Sequence, residues 1–354
     1  MLVPLILAGG AGTRFWPASR RNLPKQFLSL ITGATLIGAT YERILCIAPA
    51  AHIHVAVSAG LVPLLRETLP GLAEENILVE PAARDTGPCI GLATLRLAQK
   101  YEGTEITVAV FPSDHVIRDQ DGFATVLRAA AAAAAGRDLI CQIGIRPTAA
   151  ATGYGYIHRG MLLETVEGVP VYTVQEFREK PGPDTAEEYV ASGEYYWNGG
   201  MFVFRPSTMR YAMNRHLPRM YAVLQEIVAG RVDINDAYPR LERQSIDFGI
   251  MEKSDRTCVA EAGFDWDDVG AWDAVAKHLP ADVRGNISQG AFAGIDCKDC
   301  MVINQGGRMV AGVGLDGLII IASDDAVLVV PRDRAQDVKK IVDRLKKDGR
   351  EDLL

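Results

Sequence analysis

The first 150 residues alternate short apolar runs with longer segments whose apolar residues recur at helical spacing. Residues 2–7 form a continuous apolar run, the pattern of a strand buried on both faces. The same pattern predicts further strands at 52–58, 76–79, 105–110 and 139–145, and helices at 36–47, 63–69, 86–101 and 123–135. Strands that alternate with helices of this length indicate βαβ units in a mixed, mostly parallel sheet.

The second half of the chain changes character. Strands around turns are predicted at residues 152–157 and 169–177. In the segment 197–204, glycines would bring the backbone close to a ligand, and a largely helical stretch follows at 205–252. Past Gly285, short apolar segments between Gly-, Asn- and Asp-rich turns predict a small β-coil, closed by a basic amphipathic helix at 335–347. Strict hexapeptide repeats are absent, so a β-helix and a plain hairpin region both stay open. The predicted domains are residues 1–284 and 285–354.

The segment that follows the first strand has the composition of an anion site. Gly9, Gly10 and Gly12 allow a close approach of the backbone to a ligand, because they carry no Cβ atom. No acidic residue occurs before Glu42, although the formal net charge of the chain is -7. The same segment carries four cations: Arg14, Arg20, Arg21 and Lys25. Glycines followed by cations predict a phosphate site, with Arg20 and Arg21 as the less secure members.

Two common phosphate motifs do not fit this segment. Phe15 occupies the third glycine position of the dinucleotide fingerprint, and no acid lies near residue 30 to bind a ribose. Lys25 follows Pro24, whereas a P-loop lysine follows glycine. The spacing Gly-Gly-x-Gly-Thr-Arg, with Pro-Lys eleven residues after Arg14, instead resembles the signature of the sugar-1-phosphate nucleotidyltransferases.

Composition excludes several other classes of protein. The sequence pI is near 5.5 and no basic stripe is present, which argues against nucleic-acid binding. Cys297 and Cys300 have the spacing of half a zinc site, but no second Cys or His pair accompanies them. The chain shows no secretory signal pattern and no apolar run of membrane-spanning length, so a soluble cytoplasmic protein is predicted.

Nucleotidyl transfer to a sugar phosphate sets its own chemical requirements. The attacking phosphate oxygen is already an anion, so catalysis needs positioning and charge stabilisation rather than a general base. Mg²⁺ bound to phosphates typically uses one or two protein carboxylates. Asp114, after a buried strand, is predicted as the first ligand. Asp268 is the choice for the second ligand, with Asp265 and Asp267 as rivals.

The remaining polar residues divide between the two substrates. Arg14 and Lys25 are predicted to hold the triphosphate and to stabilise the charge that develops on the departing diphosphate. Lys180 can bind the sugar phosphate, and Glu179, which only accepts hydrogen bonds when ionised, suits sugar hydroxyls. Asn198, flanked by glycines, can read a hydroxyl as well. Purine selection is assigned to Glu80, Arg84 and Asp85, together with backbone groups near Ala8 and Gly9.

Eight motifs occur in an order that resembles the mannose-1-phosphate guanylyltransferases. They span residues 5 to 272 and are Leu-Ala-Gly-Gly-x-Gly-Thr-Arg-x-Trp-Pro, Pro-Lys-Gln-Phe, Glu-Pro-x-x-Arg, Phe-Pro-Ser-Asp-His, Phe-x-Glu-Lys-Pro, Trp-Asn-Gly-Gly-Met-Phe, Ser-Ile-Asp-x-Gly-Ile-Met-Glu and Trp-x-Asp-Val-Gly-x-Trp. The resemblance implies a Rossmann-like, GT-A-like nucleotidyltransferase domain with a small domain resembling a left-handed β-helix. It also implies Mg²⁺, with GTP and α-D-mannose 1-phosphate as substrates.

Carried onto this chain, the family motifs imply two sets of site residues. The nucleotide set is Ala8, Gly9, Gly10, Gly12, Thr13, Arg14, Lys25, Glu80, Arg84 and Asp85. The sugar-phosphate set is Gly153, Glu179, Lys180 and Asn198, and the metal carboxylates are Asp114 and Asp268. A homodimer is expected, since β-coil tails often form dimer contacts.

Two departures from the family pattern matter. Asp85 stands where the family commonly has Asn, which makes the preference for GTP less secure. The chain ends at Leu354, without room for the cupin-type isomerase domain of longer relatives, so one activity is expected. The alternatives are a sister enzyme for another hexose or a heptose 1-phosphate, and a non-catalytic subunit that senses sugar nucleotides.

Overall fold

The computed structural model describes residues 1–10, 12–31 and 33–354, so Ala11 of the glycine-rich segment and Thr32 lie outside the described residues. The strands of the first 265 residues are β1 (Leu2–Leu7), β2 (His54–Ser58), β3 (Ile77–Glu80), β4 (Thr107–Pro112), β5 (Ile140–Ile145), β6 (Gly155–Val166), β7 (Val169–Glu179), β8 (Tyr195–Phe204) and β9 (Thr257–Glu261). The helices are α1 (Leu36–Leu45), α2 (Val62–Thr68), α3 (Thr86–Lys100), α4 (Gln120–Arg137), α5 (Pro183–Ser192), α6 (Pro206–His216), α7 (Pro218–Val228) and α8 (Ile234–Ala237).

Within the described ranges, these nine strands form one mixed sheet in the order β3-β2-β1-β4-β8-β5-β9-β7-β6. Parallel pairing joins β3, β2, β1 and β4, and also β5 with β9. The Rossmann-like mixed sheet is therefore confirmed. The remaining ladders are antiparallel, which differs from a mostly parallel sheet.

The antiparallel pairing of β6 with β7 has a local origin in one hairpin. Only Glu167 and Gly168 connect β6 to β7, and both residues have positive φ, at 50° and 83°. A two-residue connection of this kind matches the twist of antiparallel strands, whereas a parallel pair needs a long crossover. Strand β8 then enters antiparallel between β4 and β5.

The chain divides into two compact units, of which the first comprises Met1–Gly9, Tyr41–Pro112 and Ile117–Trp266. Its core lies where α3, α6 and α7 pack on the sheet. A Cβ atom on Gly91 of α3 would lie 2.4 Å from Met213 Cε, so the glycine permits close packing there. The predicted alanine-rich helix is confirmed as α4, and it buries Ala129, Ala130 and Ala133 completely.

The second unit comprises Gly10–Thr40, Ser113–Val116 and Asp267–Leu354. Its C-terminal elements are α9 (Trp272–Ala276), β10 (Ile287–Gln289), β11 (Phe292–Ile295), β12 (Met301–Asn304), β13 (Val310–Val313), β14 (Leu318–Ala322), β15 (Val327–Pro331) and α10 (Val338–Lys347). Strands β10, β12 and β14 pair in parallel, as do β11 and β13. Successive parallel strands joined by short turns form a β-helix, so the β-helix alternative is confirmed over the plain hairpin region.

Buried aromatic and aliphatic side chains hold the second unit together. Trp272 is fully buried, and its ring centroid lies 5.2 Å from that of Phe15. Ile319 and Ile321 of β14 are also fully buried, in the same hydrophobic cluster. The glycine-rich segment and the β-helix therefore share one core.

The cysteines of the chain are free thiols. Cys297 and Cys300 are buried, and their Sγ atoms lie 3.6 Å from Ile295 O and 3.2 Å from Lys298 O. These contacts fit a structural role. In the described part of the chain, no helix combines the length and apolar character needed to cross a membrane.

Strand β15 offers a matched test of the β-helix core. Val330 is 8% exposed and Val329 is 58% exposed, on opposite faces of the same strand. We expect Val330→Ala to lower the free energy of unfolding by roughly 1.5–3 kcal/mol, because it removes buried methyl groups and leaves a cavity. Val329→Ala should change it by less than about 0.5 kcal/mol. Urea titration of both variants checks this, and equal losses would contradict the assigned faces.

Candidate active site

The second unit contains a cavity of about 280 Å³ in which the predicted phosphate and metal residues meet. Its lining comes from the glycine-rich segment, from the turn after β4 and from the segment before α9. The lining residues are Gly12, Thr13, Arg14, Phe15, Lys25, Asp114, His115, Asp268 and Gly270. Segments far apart in sequence thus bring two cations and two carboxylates to one cavity.

Gly12 determines how close the glycine-rich segment comes to Lys25. It has φ 56°, and a Cβ atom at this position would lie only 2.4 Å from Lys25 Cβ. Its carbonyl accepts hydrogen bonds from Ser19 Oγ at 2.7 Å and from Phe15 N at 2.9 Å. A side chain at position 12 would therefore displace Lys25 or break this turn.

Lys25 is a buried cation, with only 6% of its surface exposed. Its Nζ donates to Asp114 Oδ2 at 2.9 Å and to the carbonyl oxygen of Asp268 at 2.7 Å. The ammonium also lies 5.3 Å from the centroid of the Phe15 ring. A buried ammonium needs such partners, because its desolvation costs several kcal/mol.

The Asp114 carboxylate faces the cavity, with about a third of its side chain exposed. Burial by itself would raise the pKa of Asp114. The charges of Lys25 and His115, together with the hydrogen bond from Lys25, outweigh burial and lower that pKa below its usual value. Asp114 is therefore an anion at neutral pH.

The three aspartates near residue 266 have different surroundings. The Asp265 carboxylate belongs to the first unit, where it accepts hydrogen bonds from the backbone N–H groups of Arg118 at 3.0 Å and Asp119 at 2.8 Å. The Asp267 carboxylate accepts a hydrogen bond from the backbone N–H of Val269 at 2.7 Å, and it lies 3.1 Å from His278 Nε2. Of the three, Asp268 lines the cavity. The geometry therefore favours Asp268 over its rivals as the partner of Asp114.

Arg14 is exposed and borders the cavity beside Thr13. The other two cations of the segment point elsewhere. Arg20 pairs with Asp325 at 2.8 Å, and Arg21 pairs with Glu351. These two arginines connect the glycine-rich segment to the C-terminal part of the second unit.

The predicted purine-binding residues lie in the first unit, after β3. The Glu80 carboxylate accepts a hydrogen bond from the hydroxyl of Tyr238. Burial raises the pKa of Glu80, although this hydrogen bond acts to lower it. Asp85 caps α3, since its Oδ1 accepts Thr86 N at 2.8 Å. Its backbone has φ 72° and ψ −178°, a conformation adopted almost only by glycine. The buried Nε of Arg84 has no hydrogen-bond partner within the described residues. Base recognition by these residues stays a prediction.

The predicted sugar-phosphate residues also lie in the first unit, around the paired ends of β6 and β7. Gly155 lies opposite Glu179, and exposed Gly153 precedes β6. Lys180 has φ 49°, and its Nζ donates to Glu179 Oε1 at 2.7 Å. The Lys180 side chain is 58% exposed, so its charge can meet a ligand. Asn198, on β8, adjoins the same Gly155 position.

Asp247 is one residue near this group that the sequence did not assign. It begins a π-helical turn at Asp247–Met251, and its Oδ1 accepts Asn198 Nδ2 at 2.8 Å. Burial, and after it the charge of Glu179, raises the pKa of Asp247 to about 6, against the lowering effects of Asn198 and Lys180. The motif Ser-Ile-Asp contains this aspartate, but its position in the sequence does not show that Asn198 is its partner.

A larger groove of about 610 Å³ lies elsewhere in the first unit, between the end of α3 and the start of α6. Arg205 and Arg210 border it together with Glu102 and Glu105. The residues that line this groove do not include the glycine-rich segment, the metal carboxylates or the sugar-site residues on which the predicted chemistry depends. Size alone therefore does not identify the active site.

Comparison with known proteins decides the family. A model of the family described as nucleotidyl transferase matches residues 3–283. The chain belongs to the nucleotidyl transferase family. A second model, described as a MannoseP isomerase/GMP-like beta-helix domain, matches residues 290–345.

Similar proteins cover nearly the whole chain. Xanthan biosynthesis protein XanB of Xanthomonas campestris is 38% identical over 99% of this chain and 74% of its own length. Mannose-1-phosphate guanylyltransferase of Klebsiella pneumoniae is 37% identical over 99% of this chain and 75% of its own length. The crystal structure of mannose-1-phosphate geranyltransferase from Thermus thermophilus superposes with a TM-score of 0.86 at 36% identity, covering 98% of this chain and 99% of the other.

The cavity of this nucleotidyl transferase has the donors that a phosphate-bound divalent cation requires. Asp114 is ionised and partly exposed, and Asp268 lines the same cavity. The described residues contain no group of three or more His, Cys, Asp or Glu side chains able to hold a metal. Two carboxylates fit Mg²⁺, which commonly takes its remaining oxygen ligands from phosphates and water.

Asp247 yields a prediction about stability and pH. Its folded pKa of about 6 lies above the ordinary aspartate value of 3.8, so the folded protein holds the proton more tightly than the unfolded chain. Ionisation therefore costs stability as pH rises from about 4 to above 6. Asp247→Asn should match the wild type near pH 4 and exceed it at pH 8, by on the order of 2–3 kcal/mol. Urea unfolding at both pH values checks this, and equal differences at both would contradict it.

Proposed function

We propose that the protein transfers GMP from GTP to α-D-mannose 1-phosphate, giving GDP-mannose and diphosphate. The observation that carries this proposal is the Lys25 ammonium bound to Asp114 in a cavity formed by the glycine-rich segment. A nucleotidyl transferase needs this combination of a phosphate-binding cation and ionised carboxylates. The name of the Klebsiella pneumoniae relative supports mannose 1-phosphate and GTP as substrates.

The residues on the nucleotide side act by charge and position. Arg14, which is exposed at the cavity, would hold the triphosphate together with Lys25. As diphosphate leaves, negative charge grows on its oxygens, and these two cations stabilise it. Gly12 keeps Lys25 in place, so the ammonium needs little reorganisation when the nucleotide binds.

The residues on the sugar side bind and orient the nucleophile. Lys180, with its exposed ammonium, would attract the sugar phosphate, and the Glu179 carboxylate beside it would accept from sugar hydroxyls. The phosphate monoester attacks the α-phosphorus of GTP, a P–O bond forms, and the bond to the β-phosphate oxygen breaks. No proton needs to be removed from the nucleophile, so the reaction needs no general base.

Asp114 and Asp268 would hold Mg²⁺ together with oxygens of the nucleotide. When bound, the cation neutralises phosphate charge and polarises the P–O bonds. Asp114 suits this role because its lowered pKa keeps it ionised. Lys25 already balances part of the charge of Asp114, so the Asp114 carboxylate is stable before Mg²⁺ binds.

Three further properties belong to the same proposal. We assign residues 1–284 to the catalytic domain and residues 285–354 to the β-helix domain. We also propose a cytoplasmic location, where GTP and sugar phosphates are available. A homodimer is supported by the outward face of β11 and β13, where Ile295 and Val313 are paired and exposed by 61% and 71%. Apolar side chains so placed gain stability when a second copy covers them.

The reaction is tested by a matrix of nucleoside triphosphates and sugar 1-phosphates. With Mg²⁺, purified protein should release diphosphate from GTP only when mannose 1-phosphate is present. Omission of the divalent cation, or its removal by EDTA, should abolish release. Diphosphate is measured by a coupled assay, and the sugar nucleotide by chromatography. Equal turnover with glucose, galactose and heptose 1-phosphates would overturn the assignment of mannose. No turnover with any pair would instead favour a sensing subunit.

Lys180 tests the division between the two substrates. We expect Lys180→Ala to raise the KM for mannose 1-phosphate roughly tenfold or more and to leave the KM for GTP within about twofold, because one charge-assisted contact is lost. Lys339→Ala, which removes an exposed lysine on α10, is the control and should change neither constant. A rise confined to the KM for GTP would show that the two substrate sites are reversed.

A further inference from the structure

Asn198 is held at both ends of its amide group. Its Nδ2 donates to Asp247 Oδ1 at 2.8 Å, and its Oδ1 accepts the backbone N–H of Gly200 at 3.0 Å. These two bonds determine which end of the amide is oxygen and which is nitrogen. The second N–H of Nδ2 and the second lone pair of Oδ1 are then in fixed positions.

Glu179 contributes an oxygen with unused capacity. Its side chain is only 10% exposed, and its buried Oε2 has no hydrogen-bond partner among the residues that the structure describes. The other oxygen, Oε1, accepts from Lys180 Nζ at 2.7 Å, and the backbone N–H of Glu179 donates to Glu252 Oε1 at 3.1 Å. A buried carboxylate oxygen without a donor costs stability, so Oε2 has the capacity to accept a hydrogen bond from a group outside the protein.

Gly155 brings these two side chains together. A Cβ atom at this position would lie 2.4 Å from Glu179 Oε2 and 3.3 Å from Asn198 Cβ. The absence of a side chain at Gly155 therefore lets Glu179 Oε2 lie against the backbone of β6, close to Asn198. A free acceptor and an oriented amide thus adjoin the same position.

We propose that Asp247 is a positioning residue for the sugar-phosphate site, and that it orients the Asn198 amide so that Asn198 and Glu179 together read a hydroxyl group of the sugar. A hydroxyl donates one hydrogen bond and accepts another. The unpartnered Glu179 Oε2 accepts the hydrogen bond that the hydroxyl donates, and the remaining N–H of Asn198 donates to the hydroxyl oxygen. Asp247 acts through Asn198 and does not touch the reacting phosphates. This inference rests on the proposed function and extends it to substrate recognition.

The placement of Asp247 also explains why a carboxylate is useful there. Without an acceptor at position 247, only the bond from Gly200 N–H opposes rotation of the Asn198 amide by 180°, and the rotated amide presents oxygen instead of nitrogen. Two acceptors, from Asn198 and Glu179, would then face one hydroxyl, which has a single proton to donate. Recognition would be lost although every predicted contact residue remained in place.

The test is a double-mutant cycle between Asp247 and Asn198, read as separate KM and kcat values. Asp247→Ala should raise the KM for mannose 1-phosphate roughly tenfold, with kcat and the KM for GTP within about twofold, because the amide loses its orientation. The double variant with Asn198→Ala should be no worse than Asn198→Ala alone, since both changes remove the same contact. Asp247→Asn should restore most of the affinity, because its amide oxygen can accept from Asn198 Nδ2.

Two further variants make the result decisive. Asp247→Leu removes the acceptor without leaving a cavity and should reproduce Asp247→Ala, which tests the proposal if the alanine variant folds poorly. Asp233→Ala removes a cap of α8, where Asp233 Oδ1 accepts Asn235 N at 2.7 Å, and should leave both KM values unchanged. Additive effects of Asp247 and Asn198, or unchanged KM values in the Asp247 variants, would overturn this inference alone. A wild-type protein without turnover would overturn the proposed function and this inference with it.

Discussion

The pairing of the buried Lys25 ammonium is the interaction on which the cavity of the second unit depends. An ammonium this buried is tolerated only when nearby oxygens replace its water. Asp114 and the carbonyl of Asp268 supply those oxygens, from positions 89 and 243 residues along the chain. Gly12 has to be glycine because any side chain would occupy the space that Lys25 takes. One cation thus fixes three segments that carry the candidate chemistry.

Backbone strain occurs beside several of the candidate residues. Asp85, Lys180 and Val269 have positive φ, at 72°, 49° and 46°. Such conformations cost energy for residues with a Cβ atom and persist only where the surroundings enforce them. At Val269 the enforcement is visible, since its side chain is fully buried and its N–H donates to Asp267. That arrangement fixes the backbone directly after Asp268.

The two groups of carboxylates have opposite electrostatics, which matches different tasks. Asp114 has a lowered pKa because neighbouring positive charges outweigh its burial, and it suits the binding of a cation. Asp247 has a raised pKa because burial and Glu179 outweigh the donors around it. It accepts a hydrogen bond from the neutral amide of Asn198. A nucleotidyl transferase that handles both polyphosphate and sugar hydroxyls has use for each environment.

Local pattern in the sequence was enough for much of the fold and for the identity of the candidate residues. The first strand and the alanine-rich helix depend on neighbours in sequence, and both predictions are confirmed. Phosphate binding by the Gly9–Lys25 segment stays a prediction. The antiparallel pairing of β6 with β7 followed from a two-residue turn at Glu167 and Gly168, which the spacing of apolar residues does not reveal. The sequence already favoured Asp268 over Asp265 and Asp267, and the tertiary structure showed that Asp268 lines the cavity. The tertiary structure also joined Asp247 to Asn198 across 49 residues, because such contacts depend on how distant segments pack.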